Sequence, residues 1–488
     1  MKINLAGYNL DSDVIEELKA LSPGRLDATP ETLSASYARI SRDPRSIDEL
    51  RKAARKEVES ARKSNKAIIF KMGHHSVAEH AVFNFDVIGV SRLAMEFMEH
   101  FRLCSFTEKS QRYITLGGEY MVPDEIKNSN FLDEFRSIIE LQNEFYHRSY
   151  EKLKSHVFAK NSGLAKDEKN HNLLEGWAKE DARYITSLAT EGQLGLTVNA
   201  RNLELMLRRF ASNPYAEVRE IGQELYRLAT AVAPSIILFT EANDYDSKTY
   251  DELSKFSIKN GGSSKIAVSL EAFTKNADDL LVSFILHTVS NASLDKCRKT
   301  VSKISTDKKI EIIKTSLKRM EFYDATLREF EHVNLTYDMV ISASCFAQLK
   351  RHRTATLTAQ DYDPSLGVTI PQAIVDVKLD KEFKAIVKRT EELYYKMKKE
   401  LGGCAQYILT NAHRRRVLMG VNARELYHIS RLREDAHAQW DIQNIAAEMA
   451  KLAKKKMPLT FMLIGGKDKY PEIYEKVYGE KPKLIPPK

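Results

Sequence analysis

The sequence predicts an α+β chain made of two tandem copies of one domain, and three observations carry that prediction. The tetrapeptide V-N-A-R occurs twice, in "TVNARNLELMLRRF" (197–210) and "GVNARELYHISRLR" (420–433). A Glu-His pair opens an alternating stretch twice, in "EHAVFNFDVIG" (79–89) and "EHVNLTYDMVI" (331–341). Long helical patterns are interrupted by a few short strand patterns, without the regular strand–helix alternation of a parallel sheet.

Each copy is justified element by element. The starts "KINLAG" (2–7) and "KIAVSL" (265–270) resemble one another. In the first copy Ala81, Phe83, Phe85 and Val87 alternate with Val82, Asn84 and Asp86; in the second Val333, Leu335, Tyr337 and Met339 alternate with Asn334, Thr336 and Asp338. A period of two over this length predicts a half-buried strand in both places. A helix follows each strand, marked by Leu93, Phe97 and Phe101 in one copy and by Cys345, Phe346 and Leu349 in the other. Met95, Phe97, Met98 and Trp440 are expected in the core. Each helix runs into a basic segment, "HFRLCSFTEKSQRY" (100–113) or "RHRTATLTAQDYDP" (351–364). Asn199 and Asn422 are expected to cap the helices that begin after them. The polar stretch 242–265, ending in Gly-Gly-Ser-Ser, suits a flexible connector. The expected organisation is a first domain at 1–240, a linker at 241–262 and a second domain at 263–488.

Composition narrows the function. Apolar residues make up 43% of 488, enough for sizeable cores. The net charge of +8, from 75 basic and 67 acidic residues, suits anionic small molecules such as nucleotides as well as nucleic acid. Basic stretches interleaved with aromatics are too sparse to favour RNA. Cys104, Cys297, Cys345 and Cys404 form no C-x-x-C pair, so no metal site is expected. No Gly-rich dinucleotide loop or Walker loop occurs. The start "MKINLAGYNLDSDVIEEL" lacks an apolar core and no stretch has the length of a membrane span, so a soluble, cytoplasmic chain is expected. The run Lys350-Arg351-His352-Arg353 reads either as a helix end complementing its dipole or as an anion site.

Together, "GHHSVAEHAVFNFDVIGVSR" (73–92), "TEKSQRY" (107–113), the R-H-R at 351–353, the two V-N-A-R segments and "HAQWDIQ" (437–443) resemble the flavin-dependent thymidylate synthases. That resemblance implies an antiparallel sheet packed with long helices, normally one domain of about half this length assembled as a homotetramer with its sites between subunits. It implies FAD as cofactor, with NADPH and methylene-tetrahydrofolate as co-substrates, in the reductive methylation of dUMP.

The departures from the family pattern are complementary. The first copy has His100-Phe101-Arg102 where the family has R-H-R, yet keeps Glu108, Ser110, Gln111, Arg112 and Tyr113, which the resemblance assigns to dUMP. The second keeps Arg351, His352 and Arg353, assigned to FAD, with Arg351 also toward dUMP, but has Ala359, Asp361 and Asp363 where the family has Glu, Ser and Arg. An aspartate there would repel a nucleotide phosphate. Gln348 and Arg416 match family positions toward dUMP, where the first copy offers no clear match and Gln193. Arg431, Arg433 and His437 match flavin positions, as do His74, Ser76 and Glu79 in the first copy. Arg219 matches the arginine set against the pyrimidine, where the second copy has Gln443; it is the expected catalytic residue, stabilising the anion at N3. Ser110 is not expected to act as a nucleophile.

Each copy thus lacks what the other keeps. The resemblance implies composite sites drawn from both copies, and a homodimer forming a pseudo-tetramer. Two alternatives stand beside this reading: flavin-dependent modification of another pyrimidine nucleotide, and a non-catalytic nucleotide- or RNA-binding regulator that kept the fold.

Overall fold

A computed structural model describes residues 1–10, 12–20, 29–39, 47–67, 69, 75–258 and 267–484. The chain divides into two compact units. The first holds Met1–Gly261 with Gln372–Thr410, and the second Gly262–Pro371 with Asn411–Lys488.

In the first unit, β1 (Lys2–Tyr8), β2 (Val82–Ser91), β3 (Ser105–Glu108) and β4 (Glu191–Asn199) form an antiparallel sheet in the order β1-β2-β4-β3. In the second, β5 (Val268–Phe273), β6 (Asn334–Ser342), β7 (Thr356–Ala359) and β8 (Arg414–Asn422) repeat it as β5-β6-β8-β7. The chain is therefore α+β with one sheet topology built twice.

The alternation read from sequence is the alternation of burial. Phe83, Phe85 and Val87 face one core; Leu335, Tyr337 and Met339 face the other. Burying each such side chain contributes about 2 kcal/mol. The strands begin a little later than the Glu-His pairs, which lie in 3-10 turns at His75–His80 and Arg328–His332.

Three expectations change, the first two at the starts of the copies and at the connector. The starts of the copies align two residues away from the Lys-Ile match: Ile3 pairs with Val87 and Val268 with the equivalent Met339, while Leu5 and Leu270 precede equivalent bulges. A two-residue slip keeps the same face inward, so alternation alone could not detect it. The expected connector is helical over Asp244–Leu253, capped by Asn243 and tied down by the 2.9 Å contact of Arg208 with Asp246. Its Gly-Gly-Ser-Ser end lies outside the described residues.

Serine and asparagine set where the helices start. Ser91 and Ser342 accept from the amides of Ala94 and Cys345, opening the helices Arg92–Glu99 and Ala343–Leu349. Asn199 and Asn422 accept from Asn202 and Glu425, both at 2.9 Å, opening Ala200–Ala211 and Ala423–Arg433. Each cap contributes about 1 kcal/mol.

Gln372–Thr410, expected with the second copy, folds with the first unit. Its helix Asp380–Leu401 packs on the helix Leu132–Lys160, where Gln142 donates to Thr390 Oγ1 at 2.9 Å. Leu188 donates to the carbonyl of Leu409 at 2.7 Å beside an antiparallel bridge between Ser187 and Thr410. No helix among the described residues is long and apolar enough to cross a membrane.

Candidate functional site

In the first unit, β3 ends at Glu108, paired with Leu194, and Lys109 extends the ladder by donating to Gln193 at 2.9 Å. The chain then turns: Ser110 Oγ accepts from the Arg112 amide at 3.1 Å. The loop that follows is held from the helix Leu132–Lys160. Tyr146 Oη accepts from Leu116 at 3.1 Å, and Asn143 donates to Gly118 at 2.9 Å. Gly118 sits at φ +102, which a side chain would strain. This loop walls a small, partly open pocket of about 40 Å³ lined by Ser110, Gln111, Gly118, Met95, Glu191 and Gly192, among others. Two of the residues expected to meet a nucleotide therefore share one cavity.

Arg112 points to the helix His171–Ala182, where its guanidinium is ion-paired with Glu180. Burial pushes the Glu180 carboxyl up, against the opposing pull of Arg112 and Arg183. Arg183 is itself buried, which lowers its pKa despite Tyr184 and Glu180 nearby. Sequence reasoning missed Glu180, which sits in no motif and lies 68 positions from Arg112.

Arg219 lies in the first turn of the helix Ala216–Val232 and donates through Nη1 to the carbonyls of Asn213 and Pro214, both at 2.8 Å. Two residues earlier, Glu217 is buried and accepts from the Ser91 amide and hydroxyl at 2.6 Å and from Tyr407 Oη at 2.8 Å. In the second unit Ser342 donates to Asp441 at 2.6 Å in the matching place. This shared serine–carboxylate contact fixes the alignment of Arg219 with Gln443, whose side chain donates to the Asp435 carbonyl at 2.6 Å.

Ser76 and Glu79 lie exposed in the turn before β2, with Glu79 ion-paired to Arg201. His74 lies outside the described residues.

In the second unit the helix Ala343–Leu349 delivers the R-H-R run. Arg351 and Arg353 are exposed on either side of buried His352. His352 Nε2 accepts from Arg433 Nε at 2.9 Å, and Nδ1 lies 3.3 Å from Glu425 Oε1. This pairing assigns the proton to Nδ1 and a lone pair to Nε2. Burial lowers the His352 pKa, with Arg433 and His428 adding to the effect and Glu425 opposing it. Arg433 also donates through Nη2 to the Gln348 carbonyl at 3.1 Å, and Gln348 Nε2 donates to Gln439 at 3.2 Å. Gln348, His352 and Arg433 thus form one hydrogen-bonded network, buried at Gln348 and His352 and half-buried at Arg433. The expectation that His352 donates directly to a flavin meets a side chain whose two nitrogens both face protein groups. Glu425 directly follows the second V-N-A-R, but sequence reasoning gave it no role at the site.

The remaining expected residues are more dispersed. Arg431 turns inward, over the Tyr470 ring and onto the carbonyls of Glu321 and Asp324 at 2.8 and 3.1 Å. Arg416 lies on β8, 3.9 Å from Asp338. His437 is exposed, its amide donating to Asp435. Asp363 caps its own turn by accepting from Ser365 at 2.9 Å. Burial pushes the thiol of Cys404 up to about 12 and that of Cys345 well above its ordinary value, so neither is a ready thiolate.

Comparison with known proteins gives the same picture of duplication. The family model described as thymidylate synthase complementing protein matches twice, over residues 26–235 and 269–459. A flavin-dependent thymidylate synthase of Clostridium tetani is 31% identical over 217 residues, 43% of this chain and 82% of that protein. A UPF0159 protein of Chlamydia muridarum is 23% identical over 411 residues, 79% of this chain and 77% of that protein. A UPF0159 protein of Thermoplasma acidophilum is 21% identical over 469 residues, 86% and 91% of the two chains.

Proposed function

The chain belongs, in both of its copies, to the thymidylate synthase complementing protein family, and from that premise we propose that it methylates dUMP reductively, with FAD as cofactor and NADPH and methylene-tetrahydrofolate as co-substrates. The observation that carries the reading is the unequal division of parts. Ser110 and Gln111 line a pocket in the first unit, while the second unit carries the exposed cations Arg351 and Arg353 around buried His352 and its partner Arg433.

The second unit's donor set fits a flavin diphosphate. Guanidinium forks bind phosphate oxygens bidentately and stay charged when partly buried. Arg351 and Arg353 would hold the diphosphate, and His352 would orient Arg433 toward the same anion. A bound flavin would supply the hydride and one-carbon transfer chemistry.

The chain's own residues bind and orient. Ser110 and Gln111 hold the base and sugar of dUMP in the first unit's cavity, and Arg112 holds its phosphate. Arg219 stabilises negative charge at N3 of the pyrimidine, raising nucleophilicity at C5 by a preorganised cation. Each copy supplies one ligand set, and two chains assemble as a homodimer.

The test begins with the visible spectrum of the purified protein, with and without added FAD. Yellow protein that oxidises NADPH only when dUMP is present is expected. Arg353→Ala should lose FAD while Arg102→Ala retains it; the reverse pattern would overturn the division of parts. Colourless protein that takes up no FAD would replace this reading with the non-catalytic one. A monomeric mass in solution would overturn the dimer.

A further inference from the structure

The first unit's cavity has a counterpart location in the second unit, and there it is filled. Strand registers and capping serines align the copies residue by residue. Glu108 faces Leu194 as Ala359 faces Val417, and Ser91 faces Glu191 as Ser342 faces Arg414. Phe346 then stands at the place of Met95, Tyr362 at that of Gln111 and Arg415 at that of Gly192. In the first unit these three positions line the open space.

In the second unit the Arg415 side chain packs on the other two. The Arg415 guanidinium carbon lies 4.7 Å from the Phe346 ring centroid and 4.2 Å from that of Tyr362. Arg415 Nε donates to the Gln360 carbonyl at 2.7 Å, and Tyr362 is fully buried. The direction is shared as well: a Cβ added at Gly192 would come within 2.5 Å of Met95 Cε, so a side chain from this position runs over its neighbour on the helix. The loop that walls the cavity is also shortened. Ten positions separate Ser110 from Tyr120, which bridges to Thr190, whereas seven separate Asp361 from Val368, which bridges to His413.

We infer that Arg415, Phe346 and Tyr362 are a built-in plug, occupying in the second copy the space that a pyrimidine nucleotide takes in the first, so that each chain binds one nucleotide and not two. The inference rests on the reading of the first unit's cavity as the nucleotide site. A guanidinium attracted to two ring faces and anchored to a carbonyl replaces a flat polar ligand by a flat polar side chain. Loss of Ser and Arg at Asp361 and Asp363 would weaken a ligand; the plug excludes it.

Equilibrium dialysis of the full chain against dUMP tests this directly. One nucleotide per wild-type chain is expected. Transplanting the plug, by Gly192→Arg with Met95→Phe and Gln111→Tyr, should cut affinity at least tenfold while circular dichroism still reports a folded chain. Two nucleotides per wild-type chain, or undiminished affinity in the folded transplant, would overturn the plug. No binding at all would overturn the nucleotide reading of the cavity instead. The plug is then judged by melting of Arg415→Gly: a fall of about 2–4 °C supports it, and an unchanged midpoint overturns it.

Discussion

Nε of Arg433 donates to Nε2 of His352 at 2.9 Å, and this bond exists only while the buried imidazole is neutral. Glu425 lies 3.3 Å from the other ring nitrogen, and His428 meets the ring edge-on. Burial pushes the Glu425 carboxyl up, but the hydrogen bonds from His352 and Thr354 outweigh it and leave the carboxyl low. The His352 pKa is lowered, chiefly by burial. The unfolded chain therefore takes up a proton near pH 6.5, before the folded chain does. Stability from this group is full above that value and is lost as pH falls from there toward the depressed folded value. The thermal midpoint should drop over that window, and FAD affinity should drop with it as Arg433 loses its acceptor. His352→Gln, which can still accept from Arg433, should flatten both profiles. Profiles unchanged in the glutamine variant would remove His352 from its positioning role.

Arg219 and Glu217 stand two residues apart at one helix start and predict opposite phenotypes. Glu217 collects the Ser91 amide, the Ser91 hydroxyl and Tyr407 in a buried place. Glu217→Ala leaves those donors without their acceptor and should cost about 3 kcal/mol in urea unfolding. Arg219 binds two carbonyls of the preceding loop at the surface side of the same turn. Arg219→Lys should melt within a few degrees of the wild type yet lower turnover about 100-fold, because an ammonium cannot keep both carbonyls and offer a fork to the pyrimidine. Full turnover in Arg219→Lys would end its catalytic assignment.

The fold was legible where identical side-chain demands recur close together in sequence. Phe83, Phe85 and Val87, or Leu335, Tyr337 and Met339, announce a strand because their spacing matches the pleat. Asn199 and Asn422 announce a helix start because few residues can cap one. The pairing of β1 and β5 was less legible, since a slip of two residues changes no face. The docking of Gln372–Thr410 was not legible at all: it depends on bonds such as Gln142 to Thr390, between residues 248 apart. The site followed the same rule. Ser110, Gln111, Arg112 and the R-H-R run sit in recognisable strings, whereas Glu180, the partner of Arg112, is a single acid on another helix, and Glu425, beside His352, follows a V-N-A-R string that says nothing of that contact.

The V-N-A-R arginines illustrate conserved local structure within the duplication without a ligand. Arg201 pairs with Glu79 and Arg424 with Glu331, so in each copy the second arginine-bearing turn grips the Glu-His turn. Arg201–Glu79 is exposed and Arg424–Glu331 half-buried, and solvent-reached pairs contribute about 0–1 kcal/mol. Arg201→Ala and Arg424→Ala should therefore leave dUMP and FAD affinities within about twofold. Arg424→Ala should be the more costly to stability, because Arg424 also donates to the Thr326 carbonyl at 2.9 Å. A tenfold loss of either ligand would mean that these arginines reach it.

The buried Glu180 carboxylate is ion-paired with Arg112 and also feels the charge of the more deeply buried Arg183. The two substitutions at this contact should differ. Arg112→Gln removes one cation of the contact but leaves Glu180 near Arg183. Glu180→Gln leaves two guanidiniums close together in a poorly solvated place, and breaking a buried pair in this way costs about 3–5 kcal/mol. The double variant should recover part of that loss, giving a coupling of at least about 1 kcal/mol in a double-mutant cycle by urea unfolding. Additive effects would mean that the Arg112–Glu180 contact is solvent-screened. A strong coupling would show that Glu180 fixes the position of Arg112, the residue expected to hold the nucleotide phosphate.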